Sequence, residues 1–355
     1  MTEKLCTPSW KDTNWIPEAL TGQNLGLDKI LKLIDSQGRK INYLRLSVTD
    51  RCNMRCSYCM PESGVAKLSH HDVLSYEQLL LLAQHVVSMG IEKVRVTGGE
   101  PLVRKGIVEF LGSLAKIPGL NQLVLTTNGM LLEKMADDLK RAGVQRLNIS
   151  LDSLRPEVFA RITRRGDLKQ VQAGIAAAEK AGFPIKINMV VMRGVNDSEL
   201  ADFAALSLEN SYSVRFIEYM PVIKSDKWQS LVLSGEEILN RLAEQYSFTQ
   251  VVSGGLNGPA REFKIAGACG TIGVITPLTG HFCHDCNRIR ISASGKVKTC
   301  LFSDKEFDLK PVLSLGDLAS IQAVLRDLIM SKPASHGMTK TSSSHVPFAM
   351  SQIGG

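Results

Sequence analysis

Six of the eight cysteines fall in two tight groups: Cys52, Cys56 and Cys59 in "DRCNMRCSYCMP", and Cys283, Cys286 and Cys300 in "HFCHDCNRIRISASGKVKTC". Thiolates spaced C-x-x-x-C-x-x-C on one loop can grip three corners of a small iron–sulfur cube and leave its fourth iron open. Zinc needs a fourth ligand close by, and after Cys59 no His or Cys follows until His70. In the second group thirteen residues separate the C-x-x-C from the third cysteine. As a zinc ribbon it is one ligand short, and Cys269, His281 or His284 could supply the fourth. Arg288 and Arg290 alternate along one run and so share a face, where guanidinium forks suit phosphate and carbonyl acceptors. In an arbitrary sequence, two alternating arginines are better read as a solvated strand edge.

Something must position these groups. Runs at 42–48, 92–99, 122–129, 145–152, 185–191 and 214–220 are β-branched or leucine-rich and apolar, as strands buried on both faces should be. Helical patterns lie between them. Ser75 to Gln78 predicts a capping box, and Gly90, Gly143 and Gly182 predict helix stops before the second, fourth and fifth strands. Alternating strands and helices predict parallel βαβ units, as an open doubly wound sheet or a partial barrel. After Met220 the rhythm changes. A capped helix at 234–242 precedes "EFKIA", "TIGVIT", "RIRIS" and "KVKTC", which read as antiparallel strands, and 317–330 reads as a final amphipathic helix. A domain boundary is expected near 222–233. Residues 1–40 are weakly patterned, with a short helix expected near 27–34.

The chain has 355 residues, 44% hydrophobic and 22% charged, which is ordinary globular composition. A net charge of +7 suits an anionic partner such as a nucleotide or nucleic acid. Clustered cysteines without an apolar signal core indicate metal ligation in a reducing compartment, so a cytoplasmic location is expected. No apolar stretch approaches the length of a membrane span.

The first cysteine group follows the first strand of a βα repeat, and in this it resembles the radical S-adenosylmethionine (SAM) superfamily. The resemblance implies a 4Fe–4S cluster on Cys52, Cys56 and Cys59 whose open iron binds SAM and whose electron releases a 5′-deoxyadenosyl radical. It also implies that Tyr58 packs on SAM and that Gly99 of "TGGEP" contacts it. Glycines there let the backbone approach a ligand. Further motifs follow in collinear order: "YLRLS", "VRVTGGEP", "LTTNG", "LNISLD", "RFIEYMP", "GTIGVITP", the second cysteine stretch and the terminal "IGG". Over about 38–355 this series is similar to the GTP 3′,8-cyclase family of molybdenum cofactor biosynthesis.

That second resemblance implies an incomplete (β/α)6 TIM-type barrel with a C-terminal antiparallel α+β extension. The implied divisions are a lead-in at 1–37, the barrel at 38–222, the extension at 223–338 and a tail at 339–355. A second 4Fe–4S cluster on Cys283, Cys286 and Cys300 is implied to bind the guanine of GTP, with Arg288 and Arg290 beside it as catalytic residues. Arg45, Arg95, Thr126 and Lys186 are implied GTP contacts, and Ser150 and Met220 are implied SAM contacts. Arg215 is a further basic candidate. An arginine or lysine buried in a barrel is costly unless it meets an anion, which favours this reading for Arg45 and Lys186. The sequence has no G-x-x-x-x-G-K-S/T phosphate loop, so side chains must hold the triphosphate.

The implied reaction, that of a lyase, removes the ribose 3′ hydrogen of GTP, joins C3′ to C8, and gives (8S)-3′,8-cyclo-7,8-dihydroguanosine 5′-triphosphate. An external electron donor, a homodimer, and transfer of product to cyclic pyranopterin monophosphate synthase are implied, with no membrane or nucleic-acid partner. The tail departs from the family: Phe348 stands where an arginine is usual, so either Lys340 or another residue supplies the charge, or the tail docks differently. Cys6 and Cys269 are expected to be structural. The competing readings are another radical SAM enzyme with an auxiliary cluster, such as a peptide modifier, and a zinc-ribbon nucleic-acid-binding protein.

Overall fold

Along β1 (Tyr43–Ser47) the side chains alternate between two surroundings. Leu44 and Leu46 are fully buried in the main apolar core, while Tyr43 and Arg45 line a cavity on the other face. The computed structural model that shows this describes residues 33–221, 228–251, 258–303, 305–315, 318–336, 338 and 350. The expected helix near 27–34 lies almost wholly outside them, and its last residue, Ile34, makes a β-bridge with Lys40. Cys6, Lys340, Phe348 and the terminal glycines also lie outside the described residues.

The chain then runs α1 (Tyr76–Ser88), β2 (Lys93–Thr97), α2 (Ile107–Ala115), β3 (Gln122–Thr127), α3 (Leu132–Arg141), β4 (Arg146–Ser150), α4 (Pro156–Thr163), α5 (Leu168–Lys180), β5 (Ile185–Val191), α6 (Leu200–Glu209) and β6 (Ser213–Glu218). The expected local signals operate. Ser75 and Gln78 form both halves of the capping box of α1, and Gly90, Gly143 and Gly182 stand at φ 105°, 88° and 71°. Only glycine adopts this left-handed backbone without a Cβ clash. β1 to β6 pair in parallel, in order.

Beyond the barrel strands lie α7 (Trp228–Leu231), α8 (Gly235–Ala243), β7 (Phe248–Val251), β8 (Arg261–Ile265), β9 (Thr271–Ile275), β10 (Arg288–Ile291), β11 (Lys296–Lys298), β12 (Phe307–Asp308), α9 (Lys310–Leu315) and α10 (Leu318–Met330). Among the described residues all twelve strands form one unclosed sheet, β12-β11-β10-β1-β2-β3-β4-β5-β6-β9-β8-β7. The C-terminal runs make the expected antiparallel ladders. Two of them do more than the sequence indicated. β9 ("TIGVIT") lies parallel to β6, and β10 ("RIRIS") lies parallel to β1. Each therefore has one antiparallel and one parallel neighbour, and the six barrel strands become part of eight parallel ones. The inner faces of β1, β2, β3, β4, β5, β6, β9 and β10 converge on one cavity. That convergence decides for a partial barrel over a doubly wound sheet.

β6 is joined to the C-terminal segments by a buried carboxylate. Glu218 accepts hydrogen bonds from Gly235 N at 2.7 Å, Leu278 N at 3.1 Å, Thr279 N at 3.2 Å and the Thr279 hydroxyl. It thus fixes the start of α8 and the loop after β9. Replacing Glu218 with Leu leaves buried donors unsatisfied and should lower stability by about 3 kcal/mol. Denaturant unfolding checks this; an unchanged midpoint would show that the tie carries no weight.

Candidate active site

Parallel pairing of β10 with β1, and of β1 with β2, sets two rows of side chains in register. Arg290, Arg45 and Arg95 are paired positions in one row, and Arg288, Tyr43 and Lys93 in the other. Arg95 is 8% exposed and Arg290 7%, while Arg45 between them is half-buried and lines the cavity. Burial first, then repulsion from Arg95, brings the Arg45 guanidinium down to about 10. Burial likewise brings Arg95 down to about 10, and burial together with Arg45 and Arg288 pulls Arg290 well down. Burial pushes Lys93 down to about 6, with four surrounding arginines adding to the effect.

The protein compensates these cations with neutral groups. Lys93 Nζ sits 4.7 Å from the centroid of the Tyr43 ring. Asn148 takes the amide orientation in which its oxygen accepts from Arg95 Nε and Nη2, both at 3.2 Å. Glu262 is the carboxylate here, bonded to Arg215 and 3.5 Å from Lys186. The buried Nε atoms of Arg146 and Arg215 and the Thr126 hydroxyl find no acceptor or donor among the described residues. A concave wall of this kind is built for a polyanion.

The first cysteine loop leaves the end of β1 and is pressed against the turn after β2. Gly99 N donates to Thr49 O at 2.7 Å and Glu100 N to Arg51 O at 2.8 Å. A Cβ on Gly99 would meet Arg51 O at 2.4 Å, so the glycine allows this backbone to approach the cysteine loop as well as the cavity it lines. Glu100 accepts from Asn128 N at 2.7 Å, Thr127 Oγ1 at 2.8 Å and Leu102 N at 3.1 Å, joining the ends of β2 and β3. Behind the loop, Arg55 N and Ser57 N donate to Thr163 O and Ile162 O at the end of α4. Tyr58 donates its hydroxyl to Asp152 Oδ2 at 2.9 Å. Burial pushes the Cys52 thiol up to about 11 and Cys56 well above its ordinary value.

The second group arrives across the cavity. Arg39 donates to Cys283 O at 2.6 Å, Ala334 O at 3.2 Å and Pro333 O at 2.8 Å, and Asp35 braces it at 2.6 Å. Buried Lys332 donates to Arg288 O at 3.0 Å and to Thr299 O. For Cys286 burial raises the pKa, but Arg288 and Lys332 override it and bring the thiol down to about 6. None of the described cysteines is in a disulfide.

Both cysteine trios border one cavity of about 270 Å³. Arg45, Tyr58, Arg95, Gly99 and Thr126 line it, as do Ser150, Arg215, Met220, Arg288 and Arg290. Lys186 does not; it faces Glu262 beside Arg215. Sequence reasoning passed over Tyr43 and Lys93, which period-two spacing from Arg45 and Arg95 would have found. It also passed over Asp152, Glu100, Arg39 and Lys332, whose partners are too distant in the chain to leave a local signal. Cys269 lies on the β8–β9 turn and His284 beside Asp285, and among the described residues neither has its ligand atom within 4.8 Å of two others, as completing a zinc ribbon requires. Among the described residues no helix is long and apolar enough to cross a membrane.

Two family models match the chain, the radical SAM superfamily over 46–206 and Molybdenum Cofactor Synthesis C over 212–338. A GTP 3′,8-cyclase of Geobacter sulfurreducens is 59% identical over 326 residues, covering 92% of this chain and 100% of the relative. A GTP 3′,8-cyclase of Peptoclostridium acidaminophilum is 46% identical, covering 88% and 95%. Among solved structures, Streptococcus suis SuiB bound to S-adenosylmethionine aligns with a TM-score of 0.56 at 13% identity, covering 86% of this chain and 77% of that one. At that identity the likeness is one of fold.

Glu100 gives the site a pH signature. Burial pushes its carboxyl from 4.5 up to about 7 against three donors. The folded chain therefore holds this proton more tightly than the unfolded one, and the stability it contributes is present below 4.5 and lost as pH rises through about 7. Unfolding free energies of the iron-free chain, compared with Glu100→Gln from pH about 8 to about 5, should show the parent gaining on the variant as pH falls. A flat difference would contradict the assignment.

Proposed function

We propose a division of labour in this cavity on the premise that the chain belongs to the GTP 3′,8-cyclase family of radical SAM enzymes. Its reaction is the cyclisation of GTP that begins molybdenum cofactor biosynthesis, and it uses SAM and an iron–sulfur cluster. One observation carries the division: two separate cysteine trios face one cavity whose sheet wall is an in-register array of arginines.

The donor sets fit iron–sulfur clusters. Each trio is of thiols outside disulfides on one cavity wall, and neither trio draws its three sulfurs within 4.8 Å of one another, as ligands of a single zinc would be. Cys52, Cys56 and Cys59 would hold the first 4Fe–4S cluster, and Cys283, Cys286 and Cys300 would hold a second, beside which the guanine of GTP would be bound. When bound, the first cluster and SAM supply the hydrogen-abstracting radical chemistry.

The chain's own residues bind, orient and exclude water. Tyr58, Gly99, Ser150 and Met220 border SAM, with the Tyr58 ring held by Asp152. Arg45, Arg95, Thr126, Arg288 and Arg290 face GTP, and their forks take its phosphate and carbonyl oxygens. Lys186 joins them by exchanging Glu262 for a phosphate. Holding ribose and base rigidly beside SAM is the protein's catalytic contribution. The boundary near 222 separates 38–222 from 223–338 in function: the first part keeps SAM and the second the base of GTP, although one sheet spans both. An external electron donor, the cytoplasm as compartment, a homodimer and hand-over to cyclic pyranopterin monophosphate synthase complete the proposal. The clustered reduced cysteines and the reductive step support the first two.

Arg290→Ala should still assemble both clusters but release 5′-deoxyadenosine with GTP about 100-fold more slowly, the effect of losing one bidentate charged contact. A parental rate would remove Arg290 from the site. Cys300→Ser should lower iron from about eight to about four per chain. An unchanged iron count and spectrum would contradict the second cluster.

A further inference from the structure

Beside the second cysteine group stand two histidines to which the cyclisation reading gives no role. His281 Nδ1 and His336 Nε2 are 3.2 Å apart, and with Cys283 Sγ they bring three ligand atoms within 4.8 Å of one another. We infer that His281, Cys283 and His336 form a site for a single divalent ion of the zinc type, open when the second cluster is not assembled. The inference rests on the reading above only in making Cys283 common to both, so that ion and cluster exclude each other.

The spacing decides the ligand class. Bonds of about 2.1 Å to nitrogen and 2.3 Å to sulfur put neighbouring ligands of a tetrahedral ion about 3.3–3.7 Å apart. The two imidazoles stand close to that separation, at 3.2 Å, and the sulfur lies within 4.8 Å of both. Two imidazoles and one thiolate suit Zn2+ or Co2+. The ligands are also held. His336 packs on Phe302 with ring centroids 4.7 Å apart, and Arg39 bonds both Cys283 O and Ala334 O, clipping the two segments together. His281 is exposed, which leaves a path for the ion and room for water as fourth ligand. Met338 N donates to His336 Nδ1 at 3.0 Å, placing the ring proton on Nε2 between the two histidines. The ion takes that proton's place. The proton moves to Nδ1 in exchange for the Met338 contact, and the Cys283 thiol gives its proton to solvent.

Co2+ added to the full-length chain prepared without iron is the probe. About one ion per chain should bind, with the charge-transfer band of a single thiolate–cobalt bond and the visible bands of a four-coordinate site. Affinity should fall about 100-fold in His336→Ala and in His281→Ala and change little in Cys300→Ser. No binding by the parent, or binding lost in Cys300→Ser and kept in both histidine variants, overturns the inference. Parent loaded first with Zn2+ and then given iron and sulfide should hold about four irons in place of about eight. If the zinc-free parent itself holds only about four, the second-cluster reading fails while the cobalt result still stands for this site.

Discussion

Arg45 has Arg95 on one side and Arg290 on the other, in register across three parallel strands, and both flanking arginines are buried. Like charges packed this way oppose folding, and each guanidinium is pulled toward losing its proton. The rest of the structure answers that cost. Leu44, Leu46, Val94 and Val96 on the opposite face are completely buried against the helices, so the strands cannot rotate the arginines outward. Tyr43, Asn148 and Glu262 compensate part of the charge from within. What remains is a positive wall, to which the proposed function assigns the triphosphate of GTP.

The two cysteine groups depend on the same sheet. The first is aimed by the contact between the loop after β1 and the turn after β2, where Gly99 admits a backbone that any Cβ would displace. The second is aimed by β10, because Arg288 and Arg290 bring Cys286 with them when they join β1. Arg39, before β1, and Lys332, after α10, then tie those two segments to that group. A cavity bordered by both cysteine trios follows from one sheet that recruits strands at both edges.

The parts of this arrangement with local causes were legible in the sequence. Strands, the Ser75 capping box and the helix-stopping glycines rest on residues within a few positions of each other, and all stand where expected. The C-terminal strands were only half legible. Short glycine turns made "TIGVIT" and "RIRIS" look purely antiparallel, because their parallel partners lie far away in the chain and leave no nearby mark. The strands also looked apolar on both faces, yet the inner face is polar and buried, as Arg95 and Lys93 show. Lys186 was reached through resemblance alone, and its position beside Glu262 follows from β8 folding back near β5 and β6, which no spacing could reveal.

If the arginine wall exists to hold a triphosphate, phosphate should dominate substrate affinity. Equilibrium binding of GTP and of guanosine to the anaerobic, iron-loaded protein measures this most directly. The account predicts that GTP binds at least about 100-fold more tightly, since two charge-assisted hydrogen bonds suffice for that ratio. Equal affinities for the two ligands would contradict it.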